Sequence, residues 1–120
     1  MAQVLALLED LFFQAKIAET AKHLAVTVHF CSTPQLLLGE LAREKPKLLV
    51  VDLNARSRPV EALAGIQDAA PDVPLIAFLS HVQTELAQQA RQAGCKRVMA
   101  RSQFTRDLAT ILAQVKSELT

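Results

Sequence analysis

At 120 residues the chain has the length of one ordinary domain, and residues 1–120 are read as a single unit. Hydrophobic residues make up 51% and charged ones 21%, a globular balance that buries a core without disulfides or metals. The formal net charge of +1, with no long run of one sign, argues against a nucleic-acid or membrane-surface binder.

Val4 to Leu8 is a continuous apolar run, as expected of a strand buried on both faces. A helix follows, with Phe13, Ile17, Ala21 and Leu24 on one face at steps of four and three. Only one of Phe12 and Phe13 can face the core; the other is an exposed contact or lies over the neighbouring acidic residues. Val26 to Phe30 alternates and reads as an edge strand with one wetter face. Thr33-Pro34 is a helix start, a capping hydroxyl followed by proline at the first helical position. That helix carries Leu37, Leu38 and Leu41 and stops before Pro46.

Leu48 to Val51 is the most apolar run and is the expected central strand; it ends abruptly in Asp52. Pro59 opens a short helix with Leu63 and Ile66, closed by Pro71. Pro74 to Leu79 is the fourth strand, ending at Ser80. The fourth helix carries Val82, Leu86, Ala90 and Ala93 and stops at Gly94, a left-handed cap. Val98 to Ala100 is a short fifth strand, and Leu108, Ile111, Leu112, Val115 and Leu119 form the stripe of the last helix.

Strands alternating with single helices call for a parallel sheet with right-handed crossovers. The expected class is therefore α/β, a single flavodoxin-like (βα)5 doubly wound sheet in the order 2-1-3-4-5. Ligands of such sheets bind beyond the carboxyl ends of the strands. That rule gathers Glu9, Asp10, Asp52, Ser80 and Arg101 into one site. Three carboxylates and a hydroxyl suit a hard divalent cation and a phosphoryl group. The plainer reading is that polar residues simply begin where strands end; it holds for any one of these residues better than for the whole set.

With these residues in place, the chain resembles the receiver domains of response regulators over essentially its full length. Glu9-Asp10 resembles the family's acidic pair, Val50-Val51-Asp52-Leu53-Asn54 the segment around its phosphorylated aspartate, and Leu79-Ser80 the place of its hydroxyl residue. Arg101 stands where the family has lysine. The resemblance implies that Asp52 is the phosphoacceptor. It implies that Glu9, Asp10, Asp52 and the backbone carbonyl of Asn54 hold Mg2+, and that Ser80 and Arg101 contact the phosphoryl group. The implied partners are a histidine kinase or phosphotransfer protein and a separate downstream protein. A signalling role is expected, not an enzymatic one, with the chain a monomer or weak homodimer.

Several positions depart from the family pattern. Arginine for lysine is not a conservative exchange, because the guanidinium is planar and two-pronged. Ser102 replaces the usual proline. The loop from Asn54 to Pro59 has no glycine and two arginines, Arg56 and Arg58, read as solvated. Val98 stands where a switching aromatic is usual, and His81, whose added bulk is expected to narrow the entry, replaces a small residue. The resemblance is thus to an atypical stand-alone receiver, or to a pseudo-receiver that acts as a phosphorylation-independent interaction module. For Arg101 two roles stay open, a phosphoryl contact or an ion pair with Asp52. A third class, a nucleotide or small-molecule binder, lacks a glycine-rich phosphate loop: Gly39, Gly65 and Gly94 all fall in or at helices.

The remaining signals are negative. The N-terminus shows no secretory pattern and no apolar run reaches the roughly 18 residues of a membrane span, so a cytoplasmic location with no membrane partner is expected. His23, His29 and His81 share no ligand spacing. Cys31 and Cys95 fall at opposite edges and opposite ends of the expected sheet, so no disulfide joins them.

Overall fold

The computed structural model describes residues 2–80 and 83–117. His81, Val82 and Leu119 lie outside the described residues. Five parallel strands form one sheet: β1 (Val4–Leu7), β2 (Val28–Cys31), β3 (Leu48–Asp52), β4 (Leu75–Leu79) and β5 (Arg97–Ala100). Their order is β2-β1-β3-β4-β5, the flavodoxin-like arrangement. The helices between and after them are α1 (Leu11–His23), α2 (Pro34–Arg43), α3 (Leu63–Ala69), α4 (Thr84–Gln92) and α5 (Arg101–Ser117). A 3-10 turn over Pro59–Ala62 leads into α3.

The period-two geometry of the strands explains the continuous apolar runs. Val4 and Ala6 of β1, Leu48 and Val50 of β3, and Ile76 and Phe78 of β4 face α1 and α5. Leu5, Leu7, Leu49, Val51, Leu75, Ala77 and Leu79 face α2, α3 and α4. Both faces are covered, so every residue of β1, β3 and β4 is buried. The same alternation carries Asp52 onto the α1/α5 side of the sheet, where the first turns of both helices begin.

Caps set the helix starts. Thr33 accepts the Leu36 N–H at 3.2 Å, with Pro34 at the first position of α2. At the end of α4, Gly94 takes φ 111° and Cys95 N–H returns to Ala90 O at 3.1 Å. A Cβ at Gly94 would also come within 2.9 Å of the flexible Gln67 side chain, which would have to shift. Phe13 is buried, and Phe12 is 91% exposed.

Two elements differ from their sequence reading. β2 begins at Val28, not Val26. Ala25 adopts the left-handed region at φ 57°, and Val26 N–H bonds back to Ala21 O at 2.9 Å, so Val26 closes the turn out of α1 before the ladder starts. In α4 the buried residues are Ala87 and Ala90, with Leu86 and Ala93 only partly covered. Ala87 and Ala90 occupy the covered face of the helix, and the larger Leu86 packs against the core only in part. Cys31 and Cys95 are both free and buried, on β2 and just before β5 at opposite edges of the sheet.

Candidate functional site

The carboxyl ends of β1 and β3 and the start of α5 enclose an open cleft of about 460 Å³. It is lined by Glu9, Asp10, Asp52, Asn54, Ala55, Arg56 and Arg101. The convergence follows from register: Leu7 pairs with Val51 and Asp52 with Phe78, so β1, β3 and β4 run out together.

Asp10 is placed by helix capping. Its Oδ1 accepts the N–H groups of Phe12 at 3.0 Å and Phe13 at 3.1 Å, and Gln14 Nε2 donates to Leu8 O at 2.9 Å alongside. The Phe13 N–H bond, followed by the bond from Arg101, holds the Asp10 carboxyl below the usual aspartate range.

Asp52 is the one buried charged residue described, 5% exposed on the cleft floor. Its Oδ1 accepts the Asn54 N–H at 2.9 Å, the local loop that ends β3. Burial pushes its carboxyl above the usual range and outweighs the opposing pull of the Asn54 N–H and of Arg101. The Asp10 charge adds to the upward shift.

Arg101 is the first residue of α5 and follows β5 without a loop. Its Nη1 donates to Asp10 Oδ2 at 3.1 Å and its Nη2 to Asp52 Oδ2 at 3.3 Å. The guanidinium therefore bridges two carboxylates with one bond to each. Its Cζ lies 4.6 Å from the Phe13 ring centre and 5.5 Å from that of Phe78. Those rings meet edge to face at 5.2 Å, and Phe78 stacks on Phe104 at 4.8 Å. The cation rests on an aromatic wall anchored in the core.

Sequence reasoning placed Glu9, Asp10, Asp52, Asn54 and Arg101 at one site, and all five line the cleft. Ser80 directly follows β4 but is exposed and is not among the lining residues. Its N–H donates to Asn54 Oδ1 at 2.6 Å, while Asn54 Nδ2 donates to Gln83 Oε1 at 2.8 Å. The expected gate, His81, falls outside the described residues. Arg56 lines the cleft from its exposed loop, and Arg58 pairs instead with Glu61 at 3.1 Å. Three contributions were missed: the Asn54 side chain tying the β3 loop to the end of β4, and the rings of Phe13 and Phe78. The only available signal was that Phe13 sits three residues after Asp10, one helical turn above the strand end.

The donor chemistry of Glu9, Asp10 and Asp52 suits a hard divalent cation. Their arrangement does not. Arg101 takes one oxygen from Asp10 and one from Asp52, and the second oxygens serve the α1 and Asn54 N–H groups. Among the described residues no three His, Cys, Asp or Glu side chains come together in a way that holds a metal. As the side chains stand, the magnesium set expected on Glu9, Asp10, Asp52 and Asn54 does not fit the ion.

No protein-family model matches the chain, and no curated protein does. Solved structures do. A chemotaxis response regulator, CheY4 of Vibrio cholerae, superposes with a TM-score of 0.81 at 15% identity, over 96% of this chain and 98% of that one. A response regulator from Thermotoga maritima gives 0.80 at 17% identity, over 98% of both chains. One from Burkholderia pseudomallei, solved with a phosphorylated aspartic acid, calcium ion and citrate, gives 0.78 at 18% identity over 100% of this chain and 74% of that one. The chain has the flavodoxin-like fold that these response regulators share. Within that fold, Asp52 ends the central strand and Asp10 follows β1, while the cation at the β5–α5 junction is a guanidinium. No described helix is long and apolar enough to cross a membrane.

Proposed function

We propose that the domain is a signalling receiver in which Asp52 accepts a phosphoryl group from the phosphohistidine of a kinase or phosphotransfer protein. The observation that carries this reading is the placement of Asp52: a nearly buried carboxylate on the floor of an open polar cleft, at the end of the central strand, with a cation beside it. A carboxylate oxygen attacks phosphorus as the P–N bond breaks, and the released imidazole takes a proton from solvent. Phosphoryl transfer needs positioning and charge neutralisation above all. Asn54 N–H positions the carboxylate, and Arg101 neutralises charge. Asn54 joins this loop to Ser80 and Gln83, which gives a change at Asp52 a route to the β4–α4 surface and so to a separate partner protein. The domain acts as a signalling module, not as an enzyme. The formal net charge of +1 fits protein partners and not nucleic acid.

The test is intact-protein mass spectrometry after incubation with a small phosphodonor such as acetyl phosphate or phosphoramidate, with and without MgCl2. A gain of one phosphoryl group, absent from Asp52→Asn, is expected. A second reading, the pseudo-receiver that binds its partner without phosphorylation, is favoured by the Arg101 bridge, which already occupies one oxygen of Asp52. An unmodified wild-type chain under all donors would select that second reading.

A further inference from the structure

The cleft contains a positive charge that the chain itself supplies. A cation in the first turn of a helix opposes the helix dipole, so Arg101 is an unfavourable opening residue for α5 unless something offsets it. Asp10 and Asp52 offset it, through one hydrogen bond each at 3.1 and 3.3 Å. The guanidinium is held on several sides, although 31% of the Arg101 side chain is exposed. Because α5 starts directly at the end of β5, no loop lies between strand and helix for residue 101 to swing on. Thr105 Oγ1 donates to Arg101 O at 2.9 Å, within that first turn. Phe13 and Phe78 lie against the guanidinium, 4.6 and 5.5 Å from Cζ. Its Nε is buried and makes no hydrogen bond among the described residues, so the bonds to Asp10 and Asp52 and the two rings are what hold the group.

The position matters because of what it displaces. A divalent cation at this strand edge would need an oxygen from Asp10 and one from Asp52 with nothing between them. The guanidinium stands between them. We infer that Arg101 is the resident counter-ion of the cleft, and that by bridging Asp10 and Asp52 it excludes a divalent cation until it is displaced. This goes beyond the proposed phosphoryl chemistry and holds whether or not Asp52 reacts. The planar group is what makes the bridge: two nitrogens reach two different carboxylates while the face lies on rings, which a lysine ammonium does not reproduce.

The test is Mg2+ binding by the full chain, read by titration calorimetry and by far-UV circular dichroism melts with and without millimolar MgCl2. No phosphodonor enters it, so its outcome is separate from that of the mass measurement. For the wild type, no binding heat and an unchanged melting temperature are expected. Arg101→Gln should melt lower without Mg2+, recover with it, and bind the ion about tenfold or more tightly than wild type. Arg101→Lys should fall between the two. Should Arg101→Gln be unfolded without metal, its refolding on addition of MgCl2 supports the inference, and the wild-type melt remains a test on its own. Wild-type chain that is stabilised by Mg2+, or that binds it as tightly as Arg101→Gln, overturns the inference. So does an Arg101→Gln chain that is folded and binds no Mg2+, because the arginine would then not be what keeps the ion out.

Discussion

Replacing Phe13 by leucine separates the aromatic contribution to the Arg101 clamp from simple core filling. The Phe13 ring is 7% exposed, sits edge to face on Phe78 at 5.2 Å, and lies 6.0 Å from Phe104. Leucine keeps most of the apolar volume, so the large cavity cost of truncation to alanine, about 3–5 kcal/mol, is avoided. What remains is the lost aromatic pairing, about 0.5–1.5 kcal/mol, and the lost cation–π contact, about 0.5–2 kcal/mol for a partly shielded group. Phe13→Leu should therefore destabilise the domain by roughly 1–3.5 kcal/mol. The chain has no Trp or Tyr, so urea unfolding is best followed by far-UV circular dichroism. A double-mutant cycle with Arg101→Met isolates the pair, because the loss of the bridge to Asp10 and Asp52 is common to both arms. The coupling should be about 0.5–2 kcal/mol. Additivity within about 0.3 kcal/mol would refute the reasoning and leave Phe13 as core filling alone.

Asp52→Asn should change stability in a pH-dependent way. Burial raises the folded-state carboxyl above its unfolded value. Wild-type stability is then lost as pH rises from the ordinary aspartate range through that raised value, and the variant's advantage grows over the same window. Urea midpoints of the two chains that differ by the same amount at acidic and neutral pH would sink this account. The cysteines give a simpler check. Burial pushes the Cys31 and Cys95 thiols up to about 11, so a disulfide reagent at mildly alkaline pH should label neither in the native chain and both in urea. Rapid native labelling of either would place that thiol outside the core.

The fold was legible in the sequence because its signals are local and agree with one another. A capping threonine followed by proline, an apolar run too short for a helix, and a glycine at a helix end each report on a few adjacent residues. Where local chemistry was silent the reading slipped. Ala25 at φ 57° carries no signature, since left-handed turns are ordinarily glycine or asparagine, and β2 was accordingly placed two residues early. In α4 the stripe ran through Ala90, which is buried, but took the larger, partly covered Leu86 where the small Ala87 is the buried neighbour.

The site divides along the same line. That Asp10, Asp52 and Arg101 share a strand edge follows from element order alone. Which of them touch depends on a helix that begins without a loop and on two rings from different elements. Arg101 and Asp10 are separated by 91 positions, and no periodicity relates them. Their contact comes from opposing demands at two helix starts. The first turn of α1 favours the Asp10 carboxylate, while the first turn of α5 disfavours the Arg101 cation. Placed side by side, each supplies what the other lacks: Asp10 offsets the misplaced cation, and the cation helps keep Asp10 ionised. Asp52 receives less from the arrangement, because burial still raises its carboxyl despite the guanidinium beside it. The bridge thus leaves the two carboxylates unequal, Asp10 committed to capping and pairing, and Asp52 the one held at an energetic disadvantage as an anion. On lowering the pH, protonation therefore reaches Asp52 before Asp10.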